Sequence, residues 1–106
     1  MRFEVYEDSG GKSRWRLMSS NGQNVAGSGE GFPSHGNAKR AADAFRKNAG
    51  SSTFEVYADA GGKYRWRARS SNGQTVATSG QSFSTQSNAR RAALNIEAKA
   101  GSATSA

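Results

Sequence analysis

An α+β fold, made of two tandem βββα repeats that share one mainly antiparallel sheet with two helices on one face, is predicted by three observations. The chain repeats itself: residues 3–53 align with residues 54–104 at a constant offset of 51 without a gap, and about 30 of those 51 positions are identical. Within each copy the apolar residues first alternate with a period of 2 and then recur at helical spacing. A unit of this length also buries too little surface to be comfortably stable alone, so the two copies are expected to share one core.

The first strand is read from Phe3 and Val5 alternating with Glu4 and Tyr6, and the second from Arg14-Trp15-Arg16-Leu17-Met18. Asp8-Ser9-Gly10-Gly11 lies between them as a turn. A hairpin closing symmetrically around Gly10 sets Phe3 against Leu17 and Val5 against Trp15 on one side of the sheet. It sets Glu4 against Arg16 and Tyr6 against Arg14 on the other. The second copy places Val56 against Trp66, Glu55 against Arg67 and Tyr57 against Arg65 by the same rule.

Ser20-Asn21-Gly22-Gln23, repeated as Ser71-Asn72-Gly73-Gln74, is a second hairpin signal, since Asn-Gly tolerates the positive φ of a type I′ turn. A third strand follows over about 23–28 and 74–79. Val25 and Ala26 are both apolar, so its inward side is left open, with a bulge in the glycine-rich stretch behind them as one solution.

A helix is predicted over His35–Asn48, with Ala38, Ala41, Ala42, Phe45 and Ala49 on its inner stripe. The second copy supplies Ala89, Ala92, Ala93, Ile96 and Ala100. Ser34 and Thr85 suit the N-caps, and Gly50 and Gly101 the C-terminal stops. Small alanines let the helices lie close to the sheet, over Trp15 and Trp66. Only a few residues separate the first helix from the strand near Thr53, so the halves are adjacent. The chain is therefore read as a single domain over 1–106, with repeat 1 at 1–52, repeat 2 at 53–101 and a disordered tail at 102–106.

Composition narrows the function classes. The chain has no cysteine, which excludes disulfides, thiolate metal sites and a thiol nucleophile and leaves the redox compartment open. Apolar runs are a few residues long and the N-terminus enters a strand pattern at once, so neither a membrane span nor a signal peptide is expected, and the cytoplasm is the default location. Net charge is +7, with +3 from residues 1–53 and +4 from the remainder. Charge of this sign attracts polyanions without specifying one.

FEVY, the GGK turn, RWR, SSNGQ with an apolar pair after it, the aromatic residue before the helix and the alanine-rich basic helix together resemble the YegP family. The resemblance runs through essentially the whole chain, twice. It implies a βββα unit that assembles as a tandem repeat or as a dimer of single repeats. It also implies a domain of unknown function, with no catalytic or binding residues to carry over.

Chemistry-bearing patterns are few. His35 is the one histidine, its counterpart is Gln86, and a solvated position at a helix start is expected. Gly10-Gly11-Lys12-Ser13 lies between two strands, unlike a phosphate-binding loop, which joins a strand to a helix. Gly27-Ser28-Gly29-Glu30-Gly31 could receive an anion at the following helix start, but the second copy reads Thr78-Ser79-Gly80-Gln81-Ser82 and lacks its glycine pattern. No catalytic residues, cofactor or metal are expected, and the protein is read as non-enzymatic. The suggestive surface is the open face of the sheet, where Arg14, Arg16, Arg65, Arg67 and Arg69 interleave with Tyr6 and Tyr57. Guanidinium groups grip phosphates and tyrosines stack bases. Two readings follow: a monomer with pseudo-two-fold symmetry serving a structural or protein-interaction role, or a weak, sequence-indifferent binder of nucleic acid or another polyanion. Placement of charge separates them, because a continuous Arg/Tyr face favours polyanion binding and scattered, salt-bridged charge favours the structural role.

Overall fold

The computed structural model describes residues 1–105. Its elements are β1 (Arg2–Glu7), β2 (Ser13–Met18), β3 (Asn24–Gly27), α1 (His35–Asn48), β4 (Thr53–Ala58), β5 (Tyr64–Arg69), β6 (Thr75–Ser79) and α2 (Gln86–Lys99). The six strands form one antiparallel sheet in the order β1-β2-β3-β6-β5-β4. The repeats meet at β3 and β6, where Gly27 faces its own counterpart Thr78. The pseudo-two-fold axis therefore passes through that pair.

Both outer hairpins have the expected register, with Val5 opposite Trp15, Glu4 opposite Arg16, Val56 opposite Trp66 and Glu55 opposite Arg67. The Asn-Gly turns depart from the expected type I′ geometry. Gly22 and Gly73 have φ of 85° and 84°, but among the described residues none other than glycine has positive φ. The amide of Gly22 donates to the carbonyl of Ser19 and that of Ser19 to the carbonyl of Gln23. This is a type I turn followed by a left-handed glycine, a three-residue loop whose extra residue restores the twist of the hairpin. The register shift lies between Leu17 and Met18, repeated between Ala68 and Arg69, and not in the glycine-rich stretch behind β3. It turns Ala26 and Ala77 fully inward and leaves Val25 and Val76 partly buried.

Ser34 and Thr85 cap the helices, their hydroxyl oxygens accepting from the amides of Asn37 and Asn88. The C-terminal ends differ from expectation. Gly50 and Gly101 do not adopt positive φ; each helix tightens into a 3₁₀ turn, Ala49–Ser51 and Ala100–Ser102, which buries Ala49 and Ala100. A tightened last turn satisfies terminal carbonyls without a left-handed residue.

The core is continuous across the repeats. Trp15 and Trp66 are fully buried beneath the helices with Leu17, Ala42, Phe45, Ala93 and Ile96. Phe45 on α1 stacks on Trp15 with ring centroids 5.3 Å apart, and stands 6.4 Å from Phe54 of β4, which lies 5.4 Å from Trp66. An aromatic chain thus runs from one repeat into the other, each fully buried large side chain contributing about 1.5–3 kcal/mol.

The tail, expected to be disordered over 102–106, is described through Ser105, and Ala106 lies outside the described residues. Ala103 is buried, the amide of Phe3 donates to the carbonyl of Thr104 at 2.9 Å, and the amide of Thr104 donates to the carbonyl of Met1 at 3.1 Å. The tail thereby adds a parallel bridge to the β1 edge.

Candidate functional site: the arginine and tyrosine face

The helices cover one face of the sheet, and alternation along β1, β2, β4 and β5 puts Tyr6, Arg14, Arg16, Tyr57, Arg65, Arg67 and Arg69 on the other. Strand pairing lays out one row across all six strands: Glu4, Arg16, Gly27, Thr78, Arg67 and Glu55. Three inter-strand steps of about 4.8 Å separate the backbones of Arg16 and Arg67, roughly 14 Å in all. Small residues floor the centre of the row. The predicted residues therefore form two clusters, one on each flank, and not a single continuous patch.

Each guanidinium in these clusters is held by a carboxylate. Arg16 Nε donates to Glu4 at 2.9 Å, and Arg67 Nε and Arg69 Nε donate to Glu55 at 2.9 and 2.8 Å. Arg16 and Arg67 also lie over the rings of Tyr6 and Tyr57, 4.7 and 4.9 Å from the centroids, so each side chain is fixed by an ion pair at its edge and an aromatic ring at its face. Arg14 and Arg65 are bound by Asp8 and Asp59 at 2.7 and 3.1 Å. Those aspartates also organise the turns. One carboxylate oxygen of Asp8 accepts from the amides of Gly10 and Lys12, and Asp59 does the same with Gly61 and Lys63.

The electrostatics follow from these contacts. Hydrogen bonding to Arg16, and then to Arg2, holds the Glu4 carboxyl below its ordinary range. Arg69 and then Arg67 do this for Glu55, Arg14 and the Lys12 amide for Asp8, and the Lys63 amide with a smaller part from Arg65 for Asp59. All four carboxylates remain charged at neutral pH, offsetting much of the arginine charge.

Three participants escaped the sequence reading. Arg2 completes the first cluster, its Nε 3.0 Å from Glu4, although Met18 occupies the position that Arg69 holds in the second repeat. The second arginine has moved across the strand pair, from β5 in one repeat to β1 in the other. The signal was the cross-strand register, in which Arg2 faces Met18 and Thr53 faces Arg69. Asp8, read only as part of a turn, and its counterpart Asp59 reach to the second strand, which became visible only with the hairpin closed. His35 lies exposed at the start of α1. The glycine-rich loop uses its glycines for packing: a Cβ on Gly31 would stand 2.6 Å from Lys12 Cβ.

The model of a domain of unknown function, DUF1508, matches residues 8–55 and again 59–105. The chain belongs to the DUF1508 family. A UPF0339 protein encoded in the 5′ region of the ptx operon of Stutzerimonas stutzeri is 32% identical over 85 residues, covering 79% of this chain and 75% of that relative. A UPF0339 protein of Neisseria meningitidis serogroup B is 44% identical over 43 residues, covering 41% of this chain and 75% of the relative. The fold is shared with solution structures of Escherichia coli yegP, a protein of unknown function, and of a UPF0339 protein of Shewanella oneidensis. Both give a TM-score of 0.79 and cover 97% of this chain, at 23% and 16% identity and with 88% and 86% of the respective chains covered. The second DUF1508 match runs to residue 105, so the docked tail belongs to the family unit. No helix among the described residues is long and apolar enough to cross a membrane.

Proposed function

We propose that this DUF1508 protein is a non-enzymatic interaction module that takes an extended segment of a protein partner against the open edge of β4. The observation that carries this reading is the unequal state of the two sheet edges. Thr104 pairs with the start of β1, and Phe3 beneath it is 3% exposed. β4 has a sheet neighbour on its β5 side only, among the described residues, and Phe54, the counterpart of Phe3, is only half-buried. A free edge presents unpaired N–H and C=O groups that template another strand, and alternate side chains then set the choice of partner. Phe54 and Val56 offer apolar contact on the helix side, and Glu55 and Tyr57 offer polar contact on the other.

In this reading the arginine and tyrosine clusters stiffen and solubilise the sheet. Their carboxylate partners weigh against an organised polyanion site. The test is a pull-down from the native cell with and without nuclease, followed by hydrogen exchange on the recovered complex. Nuclease-resistant capture with new amide protection confined to residues 53–58 supports the proposal. Capture abolished by nuclease, or protection elsewhere on the protein, overturns it.

A further inference from the structure

We infer that the cleft between α1 and the β5–β6 hairpin is a binding site for a small amphiphilic amine, a cationic nitrogen carried on an apolar body about the size of one ring. The cleft has a volume of about 590 Å³, within the range of small-molecule sites. One wall is α1 of repeat 1 and the other is the β5–β6 hairpin of repeat 2, so the cleft exists only when the repeats are assembled. Phe32, Ala41, Ala44, Phe45 and Val76 supply apolar lining, and Glu30 is the one charged side chain at its surface.

Three observations converge on that ligand class. Glu30 makes no ion pair among the described residues, a state it shares with Glu7 and Glu97, whereas Glu4, Asp8, Glu55 and Asp59 are held by arginine. Its loop is also pinned. The buried Ser28 donates its hydroxyl to the carbonyl of Glu30 at 2.7 Å, and Gly31 sits too close to Lys12 to admit a side chain. The carboxylate thus stands on a supported segment lining a cleft whose wall is part apolar and part uncharged polar, the latter from Asn48, Ser52, Ser70, Gln74 and Thr75.

The third observation is how the repeats diverge. At the equivalent positions repeat 2 carries Gln81 for Glu30, Asn95 for Ala44 and Lys99 for Asn48. Those changes remove the carboxylate, enlarge one wall residue and add a cation. Both copies keep the aromatic residue, as Phe32 and Phe83, but only the first sets a carboxylate and a small-residue wall beside it. A net charge of +7 disfavours cations over the surface generally, so a cation held here depends on the local carboxylate of Glu30. An aromatic or branched body would rest on Phe32 and Val76 with its amine on Glu30.

The experiment titrates 2-phenylethylamine, 2-phenylethanol and 3-phenylpropionate into the full ¹⁵N-labelled chain, its Glu30→Gln variant and its Ala44→Asn/Asn48→Lys variant. All three substituted positions are exposed, and the ligand-free spectra report whether each variant keeps the fold. Expected are saturable shifts of the Phe32, Ala44, Gln74 and Val76 amides with the amine, binding of the alcohol about fivefold weaker, as for one partly solvated ion pair, and no binding of the carboxylate. Glu30→Gln should bring the amine down to the level of the alcohol and leave the alcohol unchanged, and the double variant should lose both. Absence of saturable shifts with the amine, equal binding of amine and alcohol, or indifference to Glu30→Gln would each overturn the assignment.

Discussion

Replacing Phe45 with alanine should destabilise both repeats together, although the residue belongs to the first. Phe45 is 2% exposed, stacks on Trp15, and stands 6.4 Å from both Phe3 and Phe54. Truncating a buried phenylalanine costs about 3–5 kcal/mol, against a total of about 5–15 kcal/mol for a domain of this size. With a urea dependence of about 2 kcal/mol per molar, the midpoint should fall by roughly 2 M. The assay uses a Trp15→Phe background, which removes an indole N–H that has no hydrogen-bond partner and leaves Trp66 in repeat 2 as the sole tryptophan. Trp66 pairs with the ring of Phe54 in its own repeat, so its fluorescence reports on a residue of the other repeat if the core is cooperative. A Trp66 transition unmoved by Phe45→Ala would show that the repeats unfold independently and would refute the shared core.

Deleting residues 103–106 should cost about 1–3 kcal/mol through three lost backbone hydrogen bonds and the uncovering of Phe3, and unchanged thermal melting would show that the tail contributes nothing to stability. Gly80→Ala should destabilise by about 2 kcal/mol or more, because its Cβ would fall 2.4 Å from the Asn24 carbonyl oxygen. Gly50→Ala, with nothing within 4 Å and no positive φ, should be neutral or stabilising by about 0.4–1 kcal/mol, and chemical denaturation of the pair tests the contrast. The depressed carboxyl pKa values of Glu4, Asp8, Glu55 and Asp59 add stability that is present above the ordinary carboxylate range and lost as the pH falls through the folded values, below about pH 4. Thermal melts from pH 7 to 2 should show that decline, and a shallower one in Glu55→Gln. Changing Arg14, Arg16, Arg65 and Arg67 to Gln should weaken any binding of single-stranded RNA no more than changing Lys39, Arg40, Arg90 and Arg91, measured by its salt dependence; selective loss with the sheet set would revive the organised polyanion site.

Local rules sufficed wherever neighbours in sequence are neighbours in space. Alternation around Asp8–Gly11 set the hairpin register residue by residue, because a one-residue slip would turn Trp15 and Leu17 out to water. The helices were legible in their N-terminal ends and inner faces, since cap side chains and an alanine stripe act within a few residues. The repeat itself implied a shared core, through the physics of burial in short units. The turn behind Asn21 was legible in place but not in type, because the same Asn-Gly pair suits both a two-residue loop and a longer one with a left-handed glycine, and the strands on either side decide between them. The helix ends likewise took a 3₁₀ form once Ala49 and Ala100 had a core to enter. What only tertiary structure decided is everything that joins distant chain segments. The tail found β1 because the end of α2 returns to the start of the chain, a closure without a local signature, although Thr104 repeating Thr53 marked it as part of the unit. The arginine face divided into two ion-paired flanks because pairing at Gly27 and Thr78 set small residues at its centre, and Arg2 replaced the missing partner of Glu4 from across the strand. The cleft beside α1 formed where one repeat's helix meets the other's hairpin. Its chemistry depends on Glu30 and Ala44 of repeat 1 lining the same cleft as Val76 of repeat 2, and that juxtaposition is a property of the assembled sheet.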